Sequence, residues 1–473
     1  MTRFTDGPAL TLSDLQQSIK ASVASAPALS GYGFLFRDLQ ANPKNRLPED
    51  DQTANRLIDL GLTMVDPNPT SEEGNSKIPS AYTYFGQFID HDLTRQMKIP
   101  GDDLKPGMLP LVNNKIPTPT NARSRLFDLD CVYGPPTEPH TRPYVIPQQG
   151  EKLVIDAAQD GPPFTDLPRD PTPNTTHDAL IGDRRNDENL IISQMHVAFL
   201  RAHNALVDEG ASFKEARTTL RRIYQYIAVN DYLPRIAYPR IVEQVLDGEL
   251  NVFDPPEGNV RIPLEFSVAA FRTAHSMIRN VYNYNEQVPK ARLFQLFQPG
   301  PLMEFQHIIA AWIIDWRRYF DGRNTARLFR PTLAPDLRLV DTHTLFDLAT
   351  VDLLKGYLYR LPTGEAVAIR LGQTPLSFDE ISAVTTAEQQ QALSAGGFKG
   401  RTPLWFYLLC EAAATKEGHL GSVGSIIVAS VIVSLVRKSK DSYMQIPNWT
   451  PFDKEKGFGL ADLFHFAGVL PGA

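Results

Sequence analysis

Residues Ala81–Thr94, AYTYFGQFIDHDLT, decide how the rest of this chain is read. Wound as an α-helix, Gln87, Asp90 and His91 fall within about 100° of one another, because positions i, i+3 and i+4 share a face. Asp92, the next residue along, points well away from His91. One short helix thus offers an amide, an imidazole and a carboxylate to one cavity and a second carboxylate to another. Polar groups on the inner face of an apolar segment are costly to bury alone, so they ask for a cofactor, an ion or water. An exposed N-terminal turn would hold the same Asp-His-Asp string, and these residues by themselves leave both readings open.

The chain around this stretch has 473 residues, 42% of them hydrophobic, enough for one large domain or two to three ordinary ones. Its charged fraction of 21% and net charge of -7 come without a basic tract of the kind that tracks phosphates, which argues against nucleic acid as a partner. Two cysteines, Cys131 and Cys410, do not make a disulfide framework. The opening MTRFTDGPALTLSDL lacks the apolar core of a secretory signal. The most apolar run, Ser425–Val436 (SIIVASVIVSLV), is too short to span a bilayer and reads as a buried helix. The expectation is a soluble protein, cytoplasmic or exported without a classical signal peptide, with no stable membrane insertion.

Residues 1–75 are turn-rich apart from a helix candidate near Asn55–Leu60, and read as an N-terminal arm wrapping a body formed by residues 76–473. Residues 95–180 carry a heavy load of Pro and Gly and read as long irregular segments that bind something or wrap the surface. Helical spacing then dominates: Asn189–Glu209, Arg217–Leu233, Glu265–Arg279, Phe305–Tyr319 and, opening the last group, Thr402–Ala414. Strand-like alternation is scarce. The fold expected is mainly α, a single large helical domain with long irregular loops and little β.

Two further constellations accompany the first. In Gly182–Asn189, GDRRNDEN, Arg185 and Glu188 stand i, i+3 and share a face once a helix has begun, while Asp187 and Glu188 also suit capping of the following helix. In Ala269–Arg279, AAFRTAHSMIR, His275 sits in an apolar helix with Arg272 three residues before it. A lone helical histidine is usually a satisfied core residue, and His196 and His203 are read as structural on that ground.

In this order, GQFIDHD, then GDRRNDEN followed by MHVAFLRAHN, then FRTAH, the chain resembles the animal-type haem peroxidases of the peroxidase–cyclooxygenase superfamily, and in detail one of their shorter bacterial relatives. The likeness runs from about residue 32 to the C-terminus. It implies haem b as cofactor, hydrogen peroxide as oxidant, and halides, thiocyanate or small aromatic molecules as donors. His91 matches the distal histidine, Arg185 the distal arginine, and Gln87 the residue lining the halide and water site. His275 matches the axial ligand of the iron, with Arg272 placed to pair with a propionate. The residue types suit the chemistry: peroxide must lose a proton from one oxygen and gain one on the other before its O–O bond breaks. A neutral imidazole can carry that proton, and a guanidinium supplies fixed positive charge.

The resemblance also implies covalent attachment of the haem by two esters, through Asp90 and Glu188. Asn189 stands where the chloride-oxidising relative has a methionine, so no third, sulfonium link can form and chloride is disfavoured as donor. Asn121–Gly134, NARSRLFDLDCVYG, resembles the family's calcium loop, with Ser124, the Leu126 carbonyl, Asp128 and Asp130 as oxygen donors and Asp92 completing the set. Where the family usually has an asparagine that accepts from the proximal histidine, Asp352–Pro362 (DLLKGYLYRLP) offers Asp352. A carboxylate there would push the ligand toward imidazolate and lower the ferric/ferrous potential. Two other functions remain in view: a fatty-acid dioxygenase of the same superfamily, against which Arg272 stands in the place of the radical tyrosine, and a catalytically silent adhesion-type member, against which His91, Arg185 and His275 are all retained.

Overall fold

The computed structural model describes residues 31–97, 120–134, 146, 148–171, 177–256, 258–297, 307–338, 347–439, 441–453 and 457–471. Residues 1–30 of the expected arm, and much of the Pro- and Gly-rich region, lie outside them. Among the longer helices are α1 (Asp51–Leu62), α2 (Ala81–Leu93), α3 (Leu190–Asp208), α4 (Phe213–Ile227), α5 (Pro239–Leu246), α6 (Leu348–Leu358), α7 (Leu404–Thr415) and α8 (Ser422–Lys438). Strands of two to five residues form, among the described residues, only two-stranded pairs and no closed sheet. The domain is therefore mainly α with little β.

α8 shows why a run of Ile and Val becomes a helix here. It is buried on every side, so packing overrides the β preference of branched residues. Its serines do not stay unpaired: Ser425 Oγ accepts from Tyr238 N at 3.0 Å, and Ser430 Oγ accepts from Val252 N at 3.3 Å. Among the described residues no helix is long and apolar enough to cross a membrane.

Residues 31–75 are built into the body. Tyr32–Gly33 pairs in parallel with Ile262–Pro263, and the buried Glu265 carboxylate accepts from Leu35 N at 2.8 Å and Phe36 N at 3.0 Å. α1 packs against α6. The approach is so close that a Cβ on Gly61 would meet Thr350 Oγ1 at 2.3 Å and Thr350 Cα at 2.7 Å.

Three helical expectations change form, the first being Arg217–Leu233, which turns wide (π) over Ala228–Tyr232. Glu265–Met277 is one helical segment, but wide (π) over Glu265–Ala270 and tight (3₁₀) over Phe271–Met277. Phe305–Tyr319 is not a helix over its described part, 307–319, beyond single turns at Ala310–Trp312 and Arg317–Phe320. Its backbone groups are taken by side chains from elsewhere: Asn285 Nδ2 donates to the Ala311 and Ile313 carbonyls at 2.9 and 2.8 Å, Tyr284 Oη to Trp312 O at 2.8 Å, and Asp166 accepts from Ile308 N at 3.0 Å. Side chains thus satisfy backbone groups here that a helix would pair within itself.

Candidate active site

α2 packs against α3, against the Arg184–Asp187 turn and against the Phe271–Met277 turn, so three distant motifs meet around one helix. His91 is buried on α2, and its Nδ1 donates to Asn186 Oδ1 at 2.7 Å. Its Nε2 faces Glu188, 3.9 Å from Oε1. Burial, and then the nearby Arg185 charge, lower the His91 pKa to about 4, so the ring is neutral near pH 7. Burial raises Glu188 to about 7; its carboxylate accepts from Gln87 Nε2.

Arg184–Asp187 is a single 3₁₀ turn capped by the side chain of Asp183. In that geometry i and i+3 eclipse, which puts Arg185 and Glu188 on one side. Burial works against the Arg185 charge, and Asp183, 2.7 Å away, more than restores it. The guanidinium also donates to the His91 carbonyl at 3.2 Å and to the Thr94 carbonyl. Arg123, unmarked in the sequence reading, pairs with Asp183 as well and donates to the His91 carbonyl at 3.0 Å. Neither Asp187 nor Glu188 caps α3, contrary to expectation: Asp187 forms a two-pronged pair with Arg169 at 2.7 and 3.0 Å. The cap is Asn189, whose side chain accepts from Ile192 N at 2.9 Å. Asp90 accepts from Thr94 Oγ1 at 3.0 Å.

The tight turn at Phe271–Met277 aligns Arg272 with His275, again i and i+3. Both reach the fully buried Asp352 on α6: Arg272 Nη1 donates to Oδ1 at 2.8 Å, and His275 Nδ1 to Oδ2 at 2.6 Å. Burial alone would raise the Asp352 pKa, but His275 and then Arg272 hold it below the usual carboxylate range. With Nδ1 committed, His275 keeps Nε2 for a ligand. The side chains of Arg185, Glu188, Arg272 and His275 remain 33, 42, 26 and 26% exposed. Asp90 acts on the charges of both Arg185 and Arg272, so the two guanidiniums border one partly open cleft. An imidazole nitrogen kept for a ligand and two guanidiniums fit an iron porphyrin with acidic side chains.

On the other side of α2, Asp92 Oδ2 accepts from Leu129 N at 3.2 Å and Oδ1 from Cys131 N at 3.3 Å. Asp130 Oδ2 accepts from Ser124 N at 2.7 Å, while its buried Oδ1 has no partner among the described residues. Burial, then Asp130 and Asp128, raise Asp92 to about 8, and burial raises Asp130 to about 6. Among the described residues no three His, Cys, Asp or Glu side chains are grouped as a metal site. Leu126 O accepts from Asp128 N at 2.9 Å. His203, read as structural, is satisfied at both nitrogens, by Tyr133 Oη at 2.9 Å and the Glu151 carbonyl at 3.1 Å. His196 is different: its Nδ1 lies 3.0 Å from Asn186 Nδ2. Asn186 was therefore missed, although it lies inside GDRRNDEN beside Arg185.

The family model for animal haem peroxidases matches residues 105–395, about three fifths of the chain. The chain belongs to the animal haem peroxidase family. The match includes Arg185, Glu188, Arg272, His275 and Asp352 but not the helix carrying His91. The chain is similar to a peroxidase-like protein of Margaritifera margaritifera, 27% identical over 258 residues, 42% of this chain and 32% of that one. Human thyroid peroxidase is 27% identical over 212 residues, 39% and 21% of the two chains. Human myeloperoxidase is 30% identical over 239 residues, 46% and 30%. The chain spans a third or less of the length of these relatives. Peroxidase A from Dictyostelium discoideum shares the fold, with a TM-score of 0.63, 14% identity and 94% of both chains covered. So does a fatty acid alpha-dioxygenase of Oryza sativa, with a TM-score of 0.57, 15% identity, and 96% of this chain and 87% of that one covered.

Proposed function

We propose that this chain is a haem-dependent peroxidase that reduces hydrogen peroxide and oxidises halides, thiocyanate or small aromatic donors. It is a shorter, bacterial-like member in which residues 76–473 form the catalytic domain and residues 1–75 an arm around it. The observation that carries the reading is a pair of imidazoles, one on α2 and one on the turn packed against it, each with Nδ1 committed, to Asn186 and to Asp352. In this reading His275 Nε2 holds the iron of haem b, Arg272 stands near a propionate, and Asp352 sets the ligand's basicity. The haem supplies the electrons that peroxide takes up. His91 Nε2, neutral and bare, accepts the proton of an approaching peroxide and returns it to the departing oxygen. Arg185 holds positive charge beside that oxygen, and Gln87 lines the donor site with Glu188.

Asp90 and Glu188 are the residues for two ester links to the haem, and Asn189 leaves no third. The unpaired Asp130 Oδ1 and the raised Asp92 and Asp130 carboxyls, each facing Asp128, support a cation there, which we assign as calcium held by Asp92, Ser124, the Leu126 carbonyl, Asp128 and Asp130. Protein expressed with hemin should show a Soret band and oxidise a phenol only when peroxide is added. Colourless protein, or a His275→Ala variant with unchanged ligation, overturns the reading. Oxygen uptake on adding a fatty acid would instead mark a dioxygenase, and a Soret band without either activity a silent member.

A further inference from the structure

The reading above gives His91 its role but not what keeps its ring in the right protonation form. A neutral imidazole has two tautomers, and only the one with the proton on Nδ1 leaves Nε2 bare as a base. Three fully or nearly fully buried side chains bear on this choice. His91 Nδ1 lies 2.7 Å from Asn186 Oδ1, and Asn186 Nδ2 lies 3.0 Å from His196 Nδ1. The carboxamide has one accepting and one donating end, so the two Nδ1 atoms it joins cannot be alike. With oxygen toward His91, His91 carries its proton on Nδ1 and His196 on Nε2. The opposite orientation would reverse both and put an N–H into the cleft.

His196 is an expensive residue to keep unless it does something. It is fully buried on α3 beside the Phe88 ring, 6.1 Å between centroids, and its Nε2 has no partner among the described residues. An unpaired buried polar atom costs about 1–3 kcal/mol, and an apolar side chain there would avoid that cost. Burial also pushes its pKa down to about 3, so near neutral pH the ring is uncharged and its Nδ1 can accept. The amide turns its nitrogen to that ring and its oxygen to His91, and an accepting Nδ1 on His196 favours this orientation over the reverse.

We propose that Asn186 and His196 are positioning residues that lock His91 in the Nδ1-protonated tautomer, with its Nε2 lone pair turned to the cleft. This rests on the peroxidase reading for its consequence, but not for its geometry. The step served is a proton transfer: His91 Nε2 gains a proton from peroxide as the second oxygen prepares to leave, then gives that proton to the leaving oxygen. Asn186 and His196 neither gain nor lose one.

The test uses the haem-loaded protein and three variants: Asn186→Leu, His196→Phe and His196→Gln, the last keeping an acceptor. In the diamagnetic carbon monoxide adduct, ¹⁵N-histidine spectra should show His91 protonated on Nδ1 and bare on Nε2. Association of hydrogen cyanide, which must hand its proton to a distal base, should slow about 10–100-fold in Asn186→Leu and His196→Phe. That is part of the 10²–10⁴ a positioned base contributes. kcat/KM for peroxide should fall in parallel, the donor KM should hold, and His196→Gln should recover most of the loss. A His91 proton on Nε2 in the wild type, or unchanged cyanide association in Asn186→Leu, overturns the proposal while leaving the peroxidase reading standing. Wild-type protein with the expected tautomer but no peroxide-dependent oxidation overturns the peroxidase reading and leaves the tautomer lock standing.

Discussion

At the scale of single residues, the site is organised by which nitrogen of each histidine is already spoken for. Replacing His91 by Ala should lower peroxide turnover by roughly 10²–10⁴-fold while the Soret band persists, checked by stopped-flow mixing with peroxide. Asp352→Asn should raise the ferric/ferrous potential and weaken haem retention by roughly tenfold or more, because a neutral acceptor makes the His275 ring less basic; spectroelectrochemical titration measures the first, and haem transfer to apomyoglobin the second. His196 adds a pH dependence of stability. Its pKa is about 3 folded against 6.5 unfolded, so on acidification below about 6.5 the unfolded chain binds a proton that the native one refuses. Stability should therefore fall as pH drops, by roughly 1.4 kcal/mol per unit from this group. Urea midpoints between pH 7 and 5 read it, and His196→Gln should flatten the slope. The residue types of the proposed site were legible as candidates because chemistry restricts them: His91, Arg185, His275 and even Asp352 stand out by position in short motifs. Asn186 and Arg123 were not, since an amide or a guanidinium in a loop carries no local sign of the partner it will meet.

At the scale of elements, the sequence period reported helices well where one face packs and poorly where side chains compete for the backbone. α3 and α7 follow their apolar spacing. Phe305–Tyr319 has the spacing too, but Asn285, Tyr284 and Asp166 intercept its backbone groups, and none of these is near in sequence. The tight turn around His275 was equally hidden, because from i to i+3 the two kinds of helix differ by only about 60°, yet it aligns Arg272 and His275. Asn189→Ala should cost about 1 kcal/mol by uncapping α3, measured as a shift in urea midpoint at unchanged slope. Gly61→Ala should cost about 1–3 kcal/mol, because its Cβ meets the backbone of Thr350 and forces α1 from α6. As α6 carries Asp352, the same variant should shift the Soret spectrum.

For the whole molecule, the expectation of a mainly helical body with little sheet follows from the scarcity of alternating stretches, and the folded chain agrees. How residues 31–36 attach was not legible, because it depends on the buried Glu265 carboxylate meeting two backbone amides 229 and 230 positions away. The proposed calcium is a property at this scale, since Asp92 ties α2 to the loop at 124–130. Removing it with EGTA should lower the melting temperature and loosen haem binding, and added calcium should reverse both; a melting curve indifferent to EGTA and calcium would argue against a cation there.

Asp352 serves two masters, one oxygen for Arg272 and the other for His275. If His275 holds the haem iron as proposed, redox tuning and cofactor docking would share a single anchor, so an engineer could not adjust one without disturbing the other. Any substitution there that weakens the His275 contact would loosen the proposed hold on the iron, in keeping with the weaker haem retention expected of Asp352→Asn. Across a panel of such variants, midpoint potential and haem off-rate should move together along one line instead of scattering independently.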